Sequence, residues 1–131
     1  MKTKEEHINY WIKSSNDDWE AVEFLLKGKK NLQALFFAHL VIEKLCKAVW
    51  IKHNSTNVPP KIHNLNYLLS QTPLKLSETD NELLLNLNRF QLEGRYPEYI
   101  SKINEICTDE FTSDLLNQTN NLKSWLIKQL Q

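Results

Sequence analysis

The chain is poor in the residues that interrupt regular structure. Its 131 residues include only two glycines and four prolines, so few positions can form tight turns or break a helix. The two cysteines, Cys46 and Cys107, have no close spacing. This excludes a disulfide-rich scaffold and a CxxC-type metal site, and we expect reduced thiols, as in the cytoplasm.

Charge of one sign and long apolar runs are also missing. The 16 basic and 16 acidic residues cancel, so no global field attracts nucleic acid, and any polyanion must meet a local basic cluster. The N-terminal segment MKTKEEHINYW lacks the apolar core of a signal peptide, and charges interrupt every apolar stretch. We therefore predict a cytoplasmic protein with no membrane partner, folded as a single domain over residues 1–131.

Residues that favour helices are abundant, above all Leu, Lys, Glu and Gln. Apolar residues recur at steps of three and four, which is the spacing of one helix face. The pattern predicts helices over about 4–27, 31–53, 63–71, 78–93 and 109–131, and it leaves 97–107 open between extended and loosely helical structure. The predicted fold class is all-α, an antiparallel up-and-down bundle of four long helices plus one or two short ones.

The segment from Asn31 to His53 is the centre of this prediction, because its apolar residues spread over an arc too broad for a surface helix. One polar strip crosses it, formed by His39, Glu43 and Lys47 at steps of four, with Lys44 beside them. Such a strip either lines a cleft or subunit contact, or emerges at the rim of the bundle as a Glu43–Lys47 surface pair.

The sequence GRYPEY, which follows a predicted helix end, is the other candidate for function. Arg95 is one of only two arginines, and on irregular backbone its guanidinium can bind a phosphate with two hydrogen bonds. Tyr96 and Tyr99 can stack on a base or donate a hydrogen bond. Alternatively, Arg95 pairs with Glu43 or Glu98, and the tyrosines fill the end of the bundle.

Several kinds of active site find no support in the sequence. His39 and Glu43 form an HxxxE pair without a third ligand at a recognisable spacing, so we predict no metal. Both glycines are placed at helix ends, so a glycine-rich phosphate loop is absent. Neither GxSxG nor a catalytic cysteine signature is present, and we predict no cofactor.

The order of four segments resembles the HEPN family of helical domains. These segments are an acidic first helix with Asp18 before Ala21, the helix AHLVIEKLCKAVW, then PPKIHNL, and finally GRYPEY. Within them, IEKLCKA is similar to the family's EK-x-x-KA helix, KIHNL to its segment after the prolines, and Arg95-Tyr96-Pro97 to its RYP segment. The resemblance covers about residues 5–130.

The resemblance implies a dimeric helical bundle whose partners are nucleotides or RNA. Many members of the family are metal-independent ribonucleases, often toxins encoded beside a minimal nucleotidyltransferase antitoxin. Their motif is an Arg followed, after four to six residues, by a His. Here no histidine follows Arg95, so cleavage by that route lacks its proton carrier. In the toxin branch a tyrosine near the motif can receive a nucleotide from the antitoxin, a role open to Tyr96 or Tyr99.

The leading hypothesis from the sequence is a homodimer that binds a nucleotide or RNA beside a nucleotidyltransferase-type partner. The predicted groove is lined by Glu43, Lys44, Lys47, His63, Arg95, Tyr96 and Tyr99. If the protein is a ribonuclease toxin, Arg95 and His63 are the candidate catalytic residues. Alternatively, His63 is only a helix N-terminal residue bonded to backbone, and the protein is a purely structural dimeric module. The sequence does not decide whether this protein is an enzyme.

Overall fold

The structure is a computed structural model that describes residues 2–131, except the side chain of Pro97. Six helices make up the bundle, with no strand between residues 2 and 131. They are α1 (Lys4–Lys27), α2 (Asn31–His53), α3 (Leu65–Ser70), α4 (Glu78–Glu93), α5 (Pro97–Ile106) and α6 (Asp109–Gln129). The predicted all-α bundle of four long helices is confirmed, and two short helices, α3 and α5, complete it.

Helices α1 and α2 form a hairpin with the bounds that periodicity predicted. Thr3 begins α1 as a capping box, because its hydroxyl accepts from Glu6 N at 3.1 Å while its own N–H donates to Glu6 Oε1 at 3.4 Å. The helix continues unbroken through the polar residues 14–18. At its end the positive φ of 62° belongs to Lys29, whereas Gly28 has a φ of −82°.

Helix α2 is the centre of the core. Most of its apolar side chains from Ala34 to Ile51 are buried against α1, α4 and α6, as its broad apolar arc predicted, and Phe36, Phe37 and Leu40 are partly buried. Its C-terminus is capped from α1, since Lys4 Nζ donates to the carbonyl oxygens of Ile51 at 2.6 Å and Asn54 at 2.8 Å. The first helix thereby fixes where α2 stops.

The segment left open by the sequence is helical. Pro97 occupies the first turn of α5, where its fixed φ suits a helix start, and Ile103 anchors the helix in the core. Thr108 then caps α6 by accepting from Phe111 N at 3.1 Å. Ser77 caps α4 in the same way, accepting from Asp80 N at 3.1 Å.

None of the helices within residues 2–131 is long and apolar enough to cross a membrane.

Candidate functional site

The polar strip of α2 is the buried centre of a charged cluster. The Glu43 carboxylate, with its side chain only 6% exposed, meets Lys47 Nζ at 3.1 Å through Oε2 and His63 Nδ1 at 2.8 Å through Oε1. His39, one turn earlier on the helix, lies with its Nδ1 3.8 Å from the same Oε1. We call these four residues the Glu43 cluster. Its ionic groups are paired, which is the condition under which proteins tolerate buried charge.

His39 ties the loop before α3 to the central helix. Its ring is fully buried, and its Nε2–H donates to the carbonyl oxygen of His63 at 2.9 Å. Nδ1 then carries the lone pair and has no hydrogen-bond partner in the described part of the chain. Burial lowers the pKa of His39, against the opposing effect of the Glu43 carboxylate, so the ring is held neutral.

His63 is oriented by Glu43 rather than buried with it. Because a carboxylate only accepts hydrogen bonds, the 2.8 Å contact places the proton of a neutral His63 ring on Nδ1 and leaves Nε2 with the free lone pair. The side chain is 52% exposed and lines a cavity of about 210 Å³ with Asn64, Asn88, Gln91 and Leu92. The approach of His63 to Glu43, expected from the sequence, is therefore present.

Arg95 is joined to the lining of this cavity through Gln91. With the Gln91 amide oxygen turned towards the guanidinium, that oxygen accepts from Arg95 Nε at 3.3 Å and Nη2 at 2.5 Å. Gln91 is buried on α4 and lines the His63 cavity. Between residues 2 and 131, no carboxylate lies within 4.0 Å of Arg95. The alternative pairing with Glu43 or Glu98 is thus not found.

The remaining predicted residues lie apart from the Glu43 cluster. Lys44 Nζ is 2.6 Å from Asp18 Oδ2, so its charge is paired with α1. Tyr96 and Tyr99 are both almost half exposed, and their rings pack edge to face with centroids 6.4 Å apart. They border Arg95 along the chain, and among the described residues no hydrogen bond links them to the Glu43 cluster.

Two residues of this region were not predicted from the sequence. Gln91 carries no functional signature in the sequence, although its side chain connects Arg95 to the lining of the His63 cavity. Asn88, one turn earlier, fixes the loop by accepting from Leu65 N at 3.1 Å and donating to Asn66 Oδ1 at 2.9 Å. The available signal was a pair of amide side chains at a helical step on an otherwise apolar helix face.

The cysteines have no role in this site. Both are unpaired and buried, and burial raises the thiol pKa of Cys107 to about 11 and that of Cys46 still further. Among the described residues, no group of three His, Cys, Asp or Glu side chains has the arrangement of a metal site.

The fold and the charged cluster define a class, that of helical bundles with a polar strip on the central helix and an arginine at the following corner. The family model described as the HEPN domain matches residues 8–130, nearly the whole chain. The protein belongs to the HEPN domain family. Family membership indicates a function related to nucleotides or RNA. No curated protein and no solved structure matches the chain.

Proposed function

We propose that this HEPN protein binds a nucleotide or single-stranded RNA in the groove between His63 and Arg95. The observation that supports the proposal is the pair formed by Glu43 and His63, with Arg95 hydrogen-bonded to Gln91, which lines the same cavity as His63. An imidazole that lines this cavity and a guanidinium joined to its lining through Gln91 are both suited to phosphate oxygens. The amides of Asn64 and Gln91 between them offer hydrogen bonds to a base or a sugar.

In this proposal the predicted residues divide into two groups. His63, Arg95, Tyr96 and Tyr99 are exposed and available to a ligand, whereas Glu43 and Lys47 are buried and position His63. Lys44 belongs to its ion pair with Asp18 and is left out of the groove. The exposed tyrosine rings supply a stacking surface next to Arg95.

Binding is tested by titrating fluorescein-labelled single-stranded RNA and labelled mononucleotides with the protein and its Arg95→Ala variant. We expect at least a tenfold loss of RNA affinity, and a smaller salt dependence because one phosphate contact is lost, which lowers the log–log slope by roughly 0.7. Arg89→Ala is the matched control, since Arg89 is the other arginine and pairs with Glu93 at 2.6 Å. Equal affinity for wild type and Arg95→Ala would remove the site assignment.

A second candidate function is metal-independent cleavage of RNA, and the orientation of His63 is what favours it. The free Nε2 can take the proton of a ribose 2′-hydroxyl while its oxygen attacks the adjacent phosphorus. The P–O5′ bond then breaks, leaving a 2′,3′-cyclic phosphate and a 5′-hydroxyl that takes its proton from solvent. Arg95 would stabilise the charge on the phosphate oxygens. The histidine usual in the family after this arginine is absent, and His63 would replace it from another segment.

Cleavage is tested by incubating RNA with concentrated protein in EDTA and analysing the ends of the products. We expect His63→Ala and Arg95→Ala to abolish cleavage. Glu43→Gln should weaken it, because the His63 ring would change its orientation or its tautomer. RNA that stays intact with pure, folded protein contradicts this second function and leaves the binding proposal standing.

We also propose that the protein is a homodimer working with a nucleotidyltransferase-type partner in a toxin–antitoxin-like pair. Exposed apolar side chains along α4 support a subunit surface; they are Leu85 and Leu92. The exposed hydroxyls of Tyr96 and Tyr99 are accessible to a transferase. Light scattering tests the dimer, with Leu92→Asp expected to give a monomer. Co-purification with the product of the adjacent reading frame, and nucleotide addition to a tyrosine, test the partner.

The purely structural alternative predicts a different outcome of the same experiments. A protein that dimerises and co-purifies with a neighbour, but binds neither RNA nor nucleotides at millimolar concentrations, is an interaction module.

A further inference from the structure

A second cavity is lined by Arg95 but not by His63. It has a volume of about 320 Å³ and separates the beginning of α2 from the corner between α4 and α5. Its walls are mainly apolar and aromatic, formed by Leu32, Phe36, Phe37 and Ile100, with Gln33 and Arg95 as the polar residues. None of these apolar residues belongs to the groove proposed above.

The guanidinium of Arg95 is the charged group of this cavity. Its Cζ lies 5.9 Å from the centre of the Phe36 ring, so the aromatic wall and the positive charge are adjacent. The neighbouring arginine, Arg89, shows the contrast, because its Nε meets Glu93 at 2.6 Å. Within residues 2–131 no acidic side chain neutralises Arg95 in this way. The apolar cavity therefore carries one uncompensated positive charge.

Gln91 fixes the guanidinium and leaves one of its edges free. The amide oxygen accepts one hydrogen bond from Nε and one from Nη2. Three of the five guanidinium N–H groups, both on Nη1 and one on Nη2, have no partner in the described part of the chain. This remaining edge, Nη1 with Nη2, is one by which arginine holds a carboxylate with two parallel hydrogen bonds.

Gly94 keeps the cavity open next to Arg95. A Cβ at this position would lie 2.7 Å from the carbonyl oxygen of Phe90 and 3.5 Å from Leu32 Cδ1. A larger residue would therefore strain the backbone at the end of α4 and occupy space at the apolar wall. Glycine at position 94 avoids both effects.

We infer that this cavity binds a small organic carboxylate with an aromatic or branched aliphatic body. One cation suits a single negative charge, whereas a nucleotide phosphate chain would find no second basic side chain in the lining. The four apolar residues suit a ligand body with few polar atoms, because apart from Arg95 only Gln33 in the lining could form a hydrogen bond with such an atom. The volume lies near the lower limit of the usual range for small-molecule sites, about 300–1,000 Å³, so the ligand is small.

The inference is tested by calorimetric titration with 3-phenylpropionate and its uncharged analogue, 3-phenylpropanamide. We expect saturable binding of the acid and at least tenfold weaker binding of the amide, because only the acid forms the two charged hydrogen bonds. Arg95→Ala should weaken the acid at least tenfold and leave the amide within about twofold. Arg89→Ala, the matched removal of an arginine that already has a partner, should bind both as wild type does.

Phe36→Leu and Gly94→Val test the apolar part of the site, with circular dichroism and thermal unfolding as checks of folding. Both folded variants should bind 3-phenylpropionate at least fivefold more weakly. The inference is overturned if wild type shows no binding of the acid at concentrations up to about 10 mM. A Kd above that value would mean that the cavity has no useful affinity for the acid. Equal affinities for acid and amide also overturn it, as does displacement by AMP with at least tenfold tighter binding, which would make this cavity a base pocket.

The outcome is separable from that of the proposed function. Loss of RNA binding with an intact 3-phenylpropionate site removes the groove and keeps this inference. Full RNA binding without any carboxylate binding does the reverse.

Discussion

The Glu43 cluster and the Arg95 corner, residues 94–99, hold their charges in opposite ways. In the cluster, Glu43 and Lys47 are buried and meet at 3.1 Å, and the carboxylate also accepts a hydrogen bond from His63. At the corner, the guanidinium is exposed and rests on a neutral amide and an aromatic ring. The first arrangement resists change because each charge depends on another. The second leaves a charge whose removal costs the fold little, which is what a binding residue requires.

The largest effect on stability is expected from Glu43→Ala. Removing the carboxylate leaves Lys47 buried without its partner and releases His63, so the free energy of unfolding should fall by roughly 3–5 kcal/mol. Arg95→Ala should change it by less than about 0.5 kcal/mol, as at an exposed position. Urea unfolding followed by circular dichroism measures both. Losses of similar size for the two variants would contradict the division between a structural cluster and a binding corner.

A double substitution sharpens this comparison. Glu43→Leu together with Lys47→Met removes both buried charges and keeps apolar volume, so the loss should be at least about 1 kcal/mol smaller than for Glu43→Ala alone. The same unfolding experiment provides the measurement. If the double variant is the less stable of the two, the cluster contributes favourable pairing beyond the avoidance of an unpaired charge.

Protonation of His39 gives an effect of intermediate size. Its pKa is lowered from the ordinary 6.5 by burial, and Glu43, Lys47 and His63 are the charged or titratable groups around it. Above pH 6.5 neither state binds the proton, whereas between 6.5 and the lowered folded value only the unfolded chain does. Stability should therefore be complete above pH 6.5 and decline as pH falls through this window.

The slope attributable to this single proton reaches at most about 1.4 kcal/mol per pH unit. This slope should be absent from His39→Leu. That variant also loses the hydrogen bond to the His63 carbonyl oxygen, so its stability is lower at every pH. His53→Asn is the comparison variant, because His53 is exposed and only slightly desolvated, so its loss should change the slope much less than that of His39. A wild-type slope between pH 5 and 7 that matches that of His39→Leu would show that carboxyl groups alone set the acid response.

Much of the fold could be predicted because its signals are local. The bounds of α1 and α2 follow from apolar periodicity and the lack of breakers between them. Helix α5 could not be predicted, since ten residues are too few for their own periodicity and Ile103 is held by the core. Local sequence places Pro97 equally well before a turn or at the first position of a helix.

The site was less accessible to such reasoning because its contacts are distant in sequence. Glu43 and His63 are 20 residues apart in the sequence. Only the resemblance to HEPN domains gave a reason to expect them in one site. The step from His63 to Arg95 passes through Gln91, an amide with no chemical signature of its own. Side-chain pairing between different helices depends on their packing, which periodicity does not report. Burial likewise separates Lys47 from Lys44, two lysines that the sequence treats as equivalent.

The smallest effect comes from the other arginine and completes the comparison. Arg89 pairs with Glu93 one helical turn away, and both side chains are substantially exposed, so Arg89→Ala should lower stability by only about 0.3–0.5 kcal/mol. That loss should shrink in 1 M salt because exposed pairs are screened, whereas the loss from Glu43→Ala should persist. Chemical unfolding in low and high salt distinguishes them. A salt-insensitive loss at Arg89 would mean that its side chain contributes through packing, and Arg89→Ala would then be a less neutral control for Arg95 than the ion pair indicates.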